Sequence, residues 1–106
     1  MMQDFHFVFP LPNGMHARPA SQLEAVAARF SSAVHLHCER NGNRADAQSV
    51  LSLISADIRH GDTCILRVDG ADEETAFEEV VRYLSNDFIG FYYRISFCHF
   101  CNLNNM

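Results

Sequence analysis

One short stretch near the start of the chain, Asn13-Gly-Met-His-Ala-Arg-Pro-Ala20, puts a nucleophile and a cation beside two residues that shape the backbone. An apolar helical period begins just after His16, so its ring stands at the mouth of a helix. The first amides of a helix have no intrahelical acceptor and face the positive end of its dipole, and both effects favour a bound anion. Neutral imidazole is well populated near pH 7 and is a competent nucleophile. A phosphoryl group on a ring nitrogen of His16 would sit in that field, and Arg18, two residues on, offers it a charge-assisted contact. Gly14 permits a tight turn and Pro19 stiffens the first helical turn, where its missing N–H costs little. A phosphoramidate bond is labile, which suits transfer better than storage. Taken alone, these residues also fit a plainer arrangement, a helix-capping histidine with a solvated arginine beside it.

The elements that must position this stretch follow from periodicity. Phe5, Phe7 and Phe9 alternate with His6 and Val8, as in a strand with one buried face. Pro10 to Gly14 breaks that pattern and reads as a loop. Ala20, Leu23, Ala27 and Phe30, with Val26 beside them, form one apolar helical face, which places the helix start at about His16. Val34, Leu36 and Cys38 alternate with His35, His37 and Glu39 as a second strand. Asn41-Gly42 signals a hairpin, and Arg44 to Asp46 forms the return strand. A helix is expected from Ser49, with Leu51, Ile54 and Ile58 on one side and Gly61 as its stop. Cys64, Leu66 and Val68 mark a fourth strand, and Asp69-Gly70 turns the chain. Asp72, Glu73 and Glu74 favour a helix N-terminus. Phe77, Val80, Val81 and Leu84 give that last helix its buried stripe. The order β-α-β-β-α-β-α predicts an antiparallel sheet covered on one face, an α+β fold.

The 106 residues suffice for one core and not for two, and the apolar and charged fractions are those of a globular domain. A net charge of −5, with arginines that do not cluster, argues against a nucleic-acid module. Lysine is absent, so phosphate chemistry falls to arginine, histidine or backbone amides. Met1 to Phe9 is too short and polar for a signal peptide, and no apolar run is long enough to span a membrane, so a cytoplasmic protein without membrane insertion is expected. Cys38, Cys64, Cys98 and Cys101 then read as reduced thiols. Alternation separates Cys38 from His35 and His37, and the single Cys98-His-Phe-Cys101 pair lacks the second pair that a zinc site needs, so no metal is expected. From Phe88 onward the chain is aromatic and unpatterned. The expected organisation is a domain over 1–87 followed by a C-terminal tail over 88–106.

The segment Gly14-Met-His-Ala-Arg-Pro-Ala20 resembles the active-site motif of the HPr family, the histidine-containing phosphocarriers of the bacterial phosphoenolpyruvate:sugar phosphotransferase system. Ala45-Asp-Ala-Gln-Ser-Val-Leu-Ser-Leu53 resembles that family's second motif, and Gly70-Ala-Asp-Glu-Glu-Thr-Ala76 the start of its last helix. The resemblance runs from about Phe5 to Leu84. It implies an open-faced β-sandwich, with a four-stranded antiparallel sheet and three helices on one face. It implies that His16 carries phosphate on Nδ1 with Arg18 assisting, supported by Gly14, Ala17 and Pro19. Ser49 falls at the family's regulatory phosphorylation position. Gln48 stands where the family usually has lysine, so the plainer role for Ser49 is an N-cap. The implied partners are an enzyme I-type phosphodonor and an enzyme IIA-type acceptor, with no cofactor and no nucleic acid. Met15, Val50 and Leu51 are expected to supply an apolar docking patch around the site. An HPr-like regulatory module that signals carbon or nitrogen status by docking uses the same histidine and is the alternative. Gln48 and Phe9-Pro-Leu-Pro12 are similar to the versions of this domain fused within multiphosphoryl transfer proteins. Such a protein is a carrier rather than a stand-alone catalyst, or a phosphotransferase component where it is fused.

Overall fold

Alternating apolar side chains on four short segments give the protein its sheet, and the computed structural model describes residues 3–89 of the chain. In chain order the elements are β1 (Gln3–Val8), α1 (Ala17–Ala27), β2 (Ala33–Cys38), β3 (Arg44–Asp46), α2 (Val50–Ser55), β4 (Thr63–Asp69) and α3 (Glu73–Tyr83). A π-helical segment, Leu84–Ile89, prolongs α3 by a turn that the apolar stripe alone did not announce. The strands lie in the order β1-β4-β2-β3, and every pairing is antiparallel.

Strand period dictates the two faces. Val34, Leu36 and Cys38 of β2 lie opposite Val68, Leu66 and Cys64 of β4, and Phe5 and Phe7 of β1 flank the same row. All of these are buried, in one core with Leu23 of α1, Leu53 of α2 and Phe77 and Val80 of α3. The alternate residues Asp4, His6, His35, His37, Arg44 and Arg67 form the other, open face, where Arg67 pairs with Asp4 at 3.2 Å. The helices therefore cover one face only, as the amphipathic patterns require.

Two connections differ from the sequence expectation. Asn41-Gly42 does not form a two-residue hairpin loop. The Cys38 amide donates to Asn43 O at 2.9 Å and the Gly42 amide to Cys38 O at 2.9 Å, so the turn is longer and Gly42 takes its left-handed position. The second helix is short and turned differently from the Leu51/Ile54/Ile58 face. Leu53 and Ala56 are buried, while Leu51 is 74% and Ile54 40% exposed; Ile58 is buried but lies past the helix end. The helix ends where Asp57 adopts a left-handed conformation with φ 55°, before Gly61 is reached. At its other end Ser49 is the N-cap, its hydroxyl accepting from the Ser52 amide at 3.2 Å. Gln48 Nε2 lies within 3.1 Å of the carbonyls of Ala27, Phe30 and Ser32, at and beyond the C-terminus of α1. A side-chain amide suits that position because terminal helix carbonyls lack backbone donors.

Candidate functional site

Local backbone requirements build the site. Phe9 and Pro10 are buried at the end of β1, and the chain then turns so that the Gly14 amide donates to Leu11 O at 3.1 Å. Gly14 has φ +72°, and a Cβ there would stand 2.7 Å from Ile58 O and 3.4 Å from Arg59 Cα. Only glycine permits both the conformation and the approach. The next amide, that of Met15, donates to the same Ile58 O at 2.9 Å, so the loop lies flat against the segment between α2 and β4. Phe9 N donates to Asp62 O at 2.8 Å and Gly61 N to Phe9 O at 2.9 Å, which fixes the loop's other end.

His16 follows as the N-cap of α1, with extended backbone (φ −117°, ψ −171°), and its side chain makes no capping bond. The histidine is exposed, and so are Ala17 and Arg18. Pro19 is buried in the first turn and brings no amide there, so Ala17 and Arg18 supply the amides that face outward. His16 and Arg18 line one shallow groove of about 430 Å³ with Leu11, Pro12, Asn13, Pro19 and Gln22. Among the described residues Arg18 forms no ion pair, which leaves its guanidinium available to an anion. Arg59 is different, because its Nη2 lies 3.0 Å from Asp57 Oδ2. Arg59 and His60 border a second cleft with Pro12, Asn13 and Gly14, on the other side of the same loop.

The expected site residues divide cleanly. Gly14, His16, Ala17, Arg18 and Pro19 lie together at the loop–helix junction. Met15 does not belong to an exposed patch: it is 6% exposed and part of the core. It precedes the N-cap, and Ala20 occupies the fourth helical position, the spacing of a hydrophobic staple; both are buried. Val50 is half-buried against the core, so the apolar surface of α2 consists of Leu51 and Ile54. Gln22 joins the groove without a chemical signal of its own in the sequence; it stands four residues after Arg18 and so on the same helix face. Its Oε1 accepts from Tyr83 OH at 3.4 Å.

Other titratable groups are structural in setting. Cys38 and Cys64 are buried free thiols on the helix side of the sheet, away from His35 and His37. Burial pushes Cys64 up to about 12, which keeps it protonated and unreactive. Among the described residues no cluster of three His, Cys, Asp or Glu side chains could hold a metal ion. Cys98 and Cys101 lie outside the described residues.

Comparisons with known proteins bear on the family and the fold. The family described as "PTS HPr component phosphorylation site" matches residues 4–86. Multiphosphoryl transfer protein 2 of Escherichia coli strain K12 is 42% identical over 82 residues, covering 77% of this chain and 10% of that protein. The chain thus spans about a tenth of the length of such relatives. Phosphocarrier protein HPr of Mycoplasma genitalium is 39% identical over 79 residues, covering 74% of this chain and 89% of that protein. A solved histidine-containing phosphocarrier protein of Mycoplasma superposes with a TM-score of 0.73 over 79% of this chain and 93% of that one; at 24% identity it speaks for the fold alone.

Proposed function

The chain belongs to the HPr family of the phosphotransferase system, and from that premise we propose that it carries a phosphoryl group on His16, taken from an enzyme I-type donor and passed to an enzyme IIA-type acceptor. The observation that carries this reading is an exposed N-cap histidine, free of any capping bond, in one groove with Arg18, which forms no ion pair among the described residues. In the first half-reaction the lone pair of a neutral His16 ring nitrogen, Nδ1 by analogy with the family, attacks the donor's phosphorus. The donor's P–N bond breaks as the new one forms, and the donor imidazole keeps the electron pair. The second half-reaction repeats the displacement with the acceptor as nucleophile. Between the two, the amides of Ala17 and Arg18 and the Arg18 guanidinium hold the phosphoryl oxygens, so the charge is met by fixed groups. Exposed Leu51 and Ile54 on α2 supply the apolar part of a small docking surface suited to successive partners.

The direct test is incubation with phosphoenolpyruvate and a general enzyme I, followed by intact mass measurement. One phosphate per chain is expected, and none after incubation without the enzyme. Arg18→Ala should keep the fold and slow transfer by roughly tenfold to a thousandfold, since a contact to transition-state charge contributes a few kcal/mol. Arg18→Lys should recover only part of the rate, because a point charge replaces a planar fork. Equal rates for wild type and Arg18→Ala with both donor and acceptor would remove Arg18 from the mechanism.

The family match ends at residue 86, and we place the boundary of the carrier domain at Asp87. A stop after Asp87 should give a cooperatively folding protein that still takes up phosphate. Loss of folding or uptake would assign the following segment to the domain. Among the described residues no helix is long and apolar enough to cross a membrane; action in the cytoplasm is part of the proposal.

A further inference from the structure

Asp62 is 6% exposed and takes no part in the chemistry above, yet its carboxylate accepts from three donors on two segments of the chain. Its Oδ1 accepts from Arg40 Nε at 2.8 Å; its Oδ2 accepts from the Arg59 amide at 2.8 Å and from Cys38 Sγ at 3.3 Å. Burial alone would raise its pKa, but these donors outweigh it and hold the carboxyl below the usual carboxylate range. Arg40 continues the network, its Nη2 donating to Asp57 O at 2.7 Å, and Asn41 Nδ2 donates to Ala56 O at 2.9 Å. The β2–β3 turn is thereby tied to residues 56–62.

The Arg59 amide and the Ile58 carbonyl belong to one planar peptide unit, so they point in opposite directions and move together. Asp62 grips the N–H edge of that plane. The C=O edge accepts the Met15 amide at 2.9 Å, one residue before His16. We infer that Asp62 is a positioning residue for phosphoryl transfer: by fixing the Ile58–Arg59 peptide, it sets the height and direction from which His16 meets its partners. The inference rests on the reading of His16 as the phosphoryl carrier. Displacements near 1 Å are enough to matter for such a reaction.

Asp62→Asn in the full chain is the test. It preserves volume but turns an NH₂ group toward at least one of the three donors. With a phosphorylated enzyme I donor, kcat is expected to fall about tenfold while KM stays within about twofold, since docking is untouched and alignment is not. Hydrogen exchange at the Met15 amide should quicken by a larger factor than exchange at core amides of β4. Arg40→Ala, which removes an exposed donor, should produce the same two changes more weakly. It serves as the test should Asp62→Asn not fold. An unchanged kcat in a folded variant overturns the inference, as does Met15 exchange that quickens only in step with β4. Failure of the wild type to accept phosphate would instead refute the reading of His16, and the Met15 exchange would still show whether Asp62 holds the loop.

Discussion

His16→Ala should accept no phosphate from phosphoenolpyruvate and enzyme I, where the wild type gains one that is labile in acid and stable in alkali. The loss is expected to be complete, because among the described residues no second histidine shares the groove lined by Leu11, Pro12, Asn13, His16, Arg18, Pro19 and Gln22. The substitution should leave the fold nearly unchanged. The ring makes no capping bond and is exposed, and surface changes of this kind usually fall within about 0.5 kcal/mol. Thermal unfolding and labelling therefore separate, with one unaltered and the other abolished. Persistent labelling of the variant would move the phosphoryl group to another residue and sink the proposed function.

Gly14→Ala should damage both properties at once. At φ +72° an alanine is strained, and its Cβ would meet Ile58 O at 2.7 Å, the oxygen that the Met15 amide already uses. Neither neighbour is the free end of a flexible side chain, so backbone must move. Strain and displacement together are expected to cost roughly 2–3 kcal/mol. For a domain of this size that lowers Tm by about 10 °C or more. Well below the new Tm, transfer should still be slower by about tenfold, because His16 follows the displaced loop. A Tm within a few degrees of wild type, with unaltered transfer, would mean that the loop does not lie against Ile58.

The difference between these two residues shows what the sequence disclosed. His16 and Arg18 were legible because their chemistry depends on residue type and on a helix start, both of which are local. β1, β2 and β4 were legible because period-2 alternation over five or more residues marks a core face, whereas β3, three residues long, was legible only as the return from the Asn41-Gly42 turn. The second helix was not. Six residues make fewer than two turns, so Leu51, Leu53 and Ile54 fit more than one apolar face, and the choice fell to packing against α1 and β3. Met15 was misplaced for a related reason. An apolar residue beside a reactive one suggests a docking patch, whereas its position before the N-cap, matched with Ala20, sends it inward. Asp62 gave no signal at all. An aspartate between Gly61 and Thr63 looks like an ordinary turn residue, and two of its three donors, Arg40 and Cys38, lie far away in the chain.

The pairing of β1 with β4 bears on how the carrier comes into being. Among the described residues β1 has no other neighbour in the sheet, and its partner residues lie about sixty positions later, so closing that pair carries a loop entropy that early local contacts do not offset. The loop bearing His16 hangs from the end of β1 and rests on the segment that leads into β4. During synthesis the first hairpin and helices can form while that histidine is still unplaced. Competence to receive a phosphoryl group therefore arrives late, with the last strand, and a nascent chain that lacks β4 presents its donor with a histidine but not with a site.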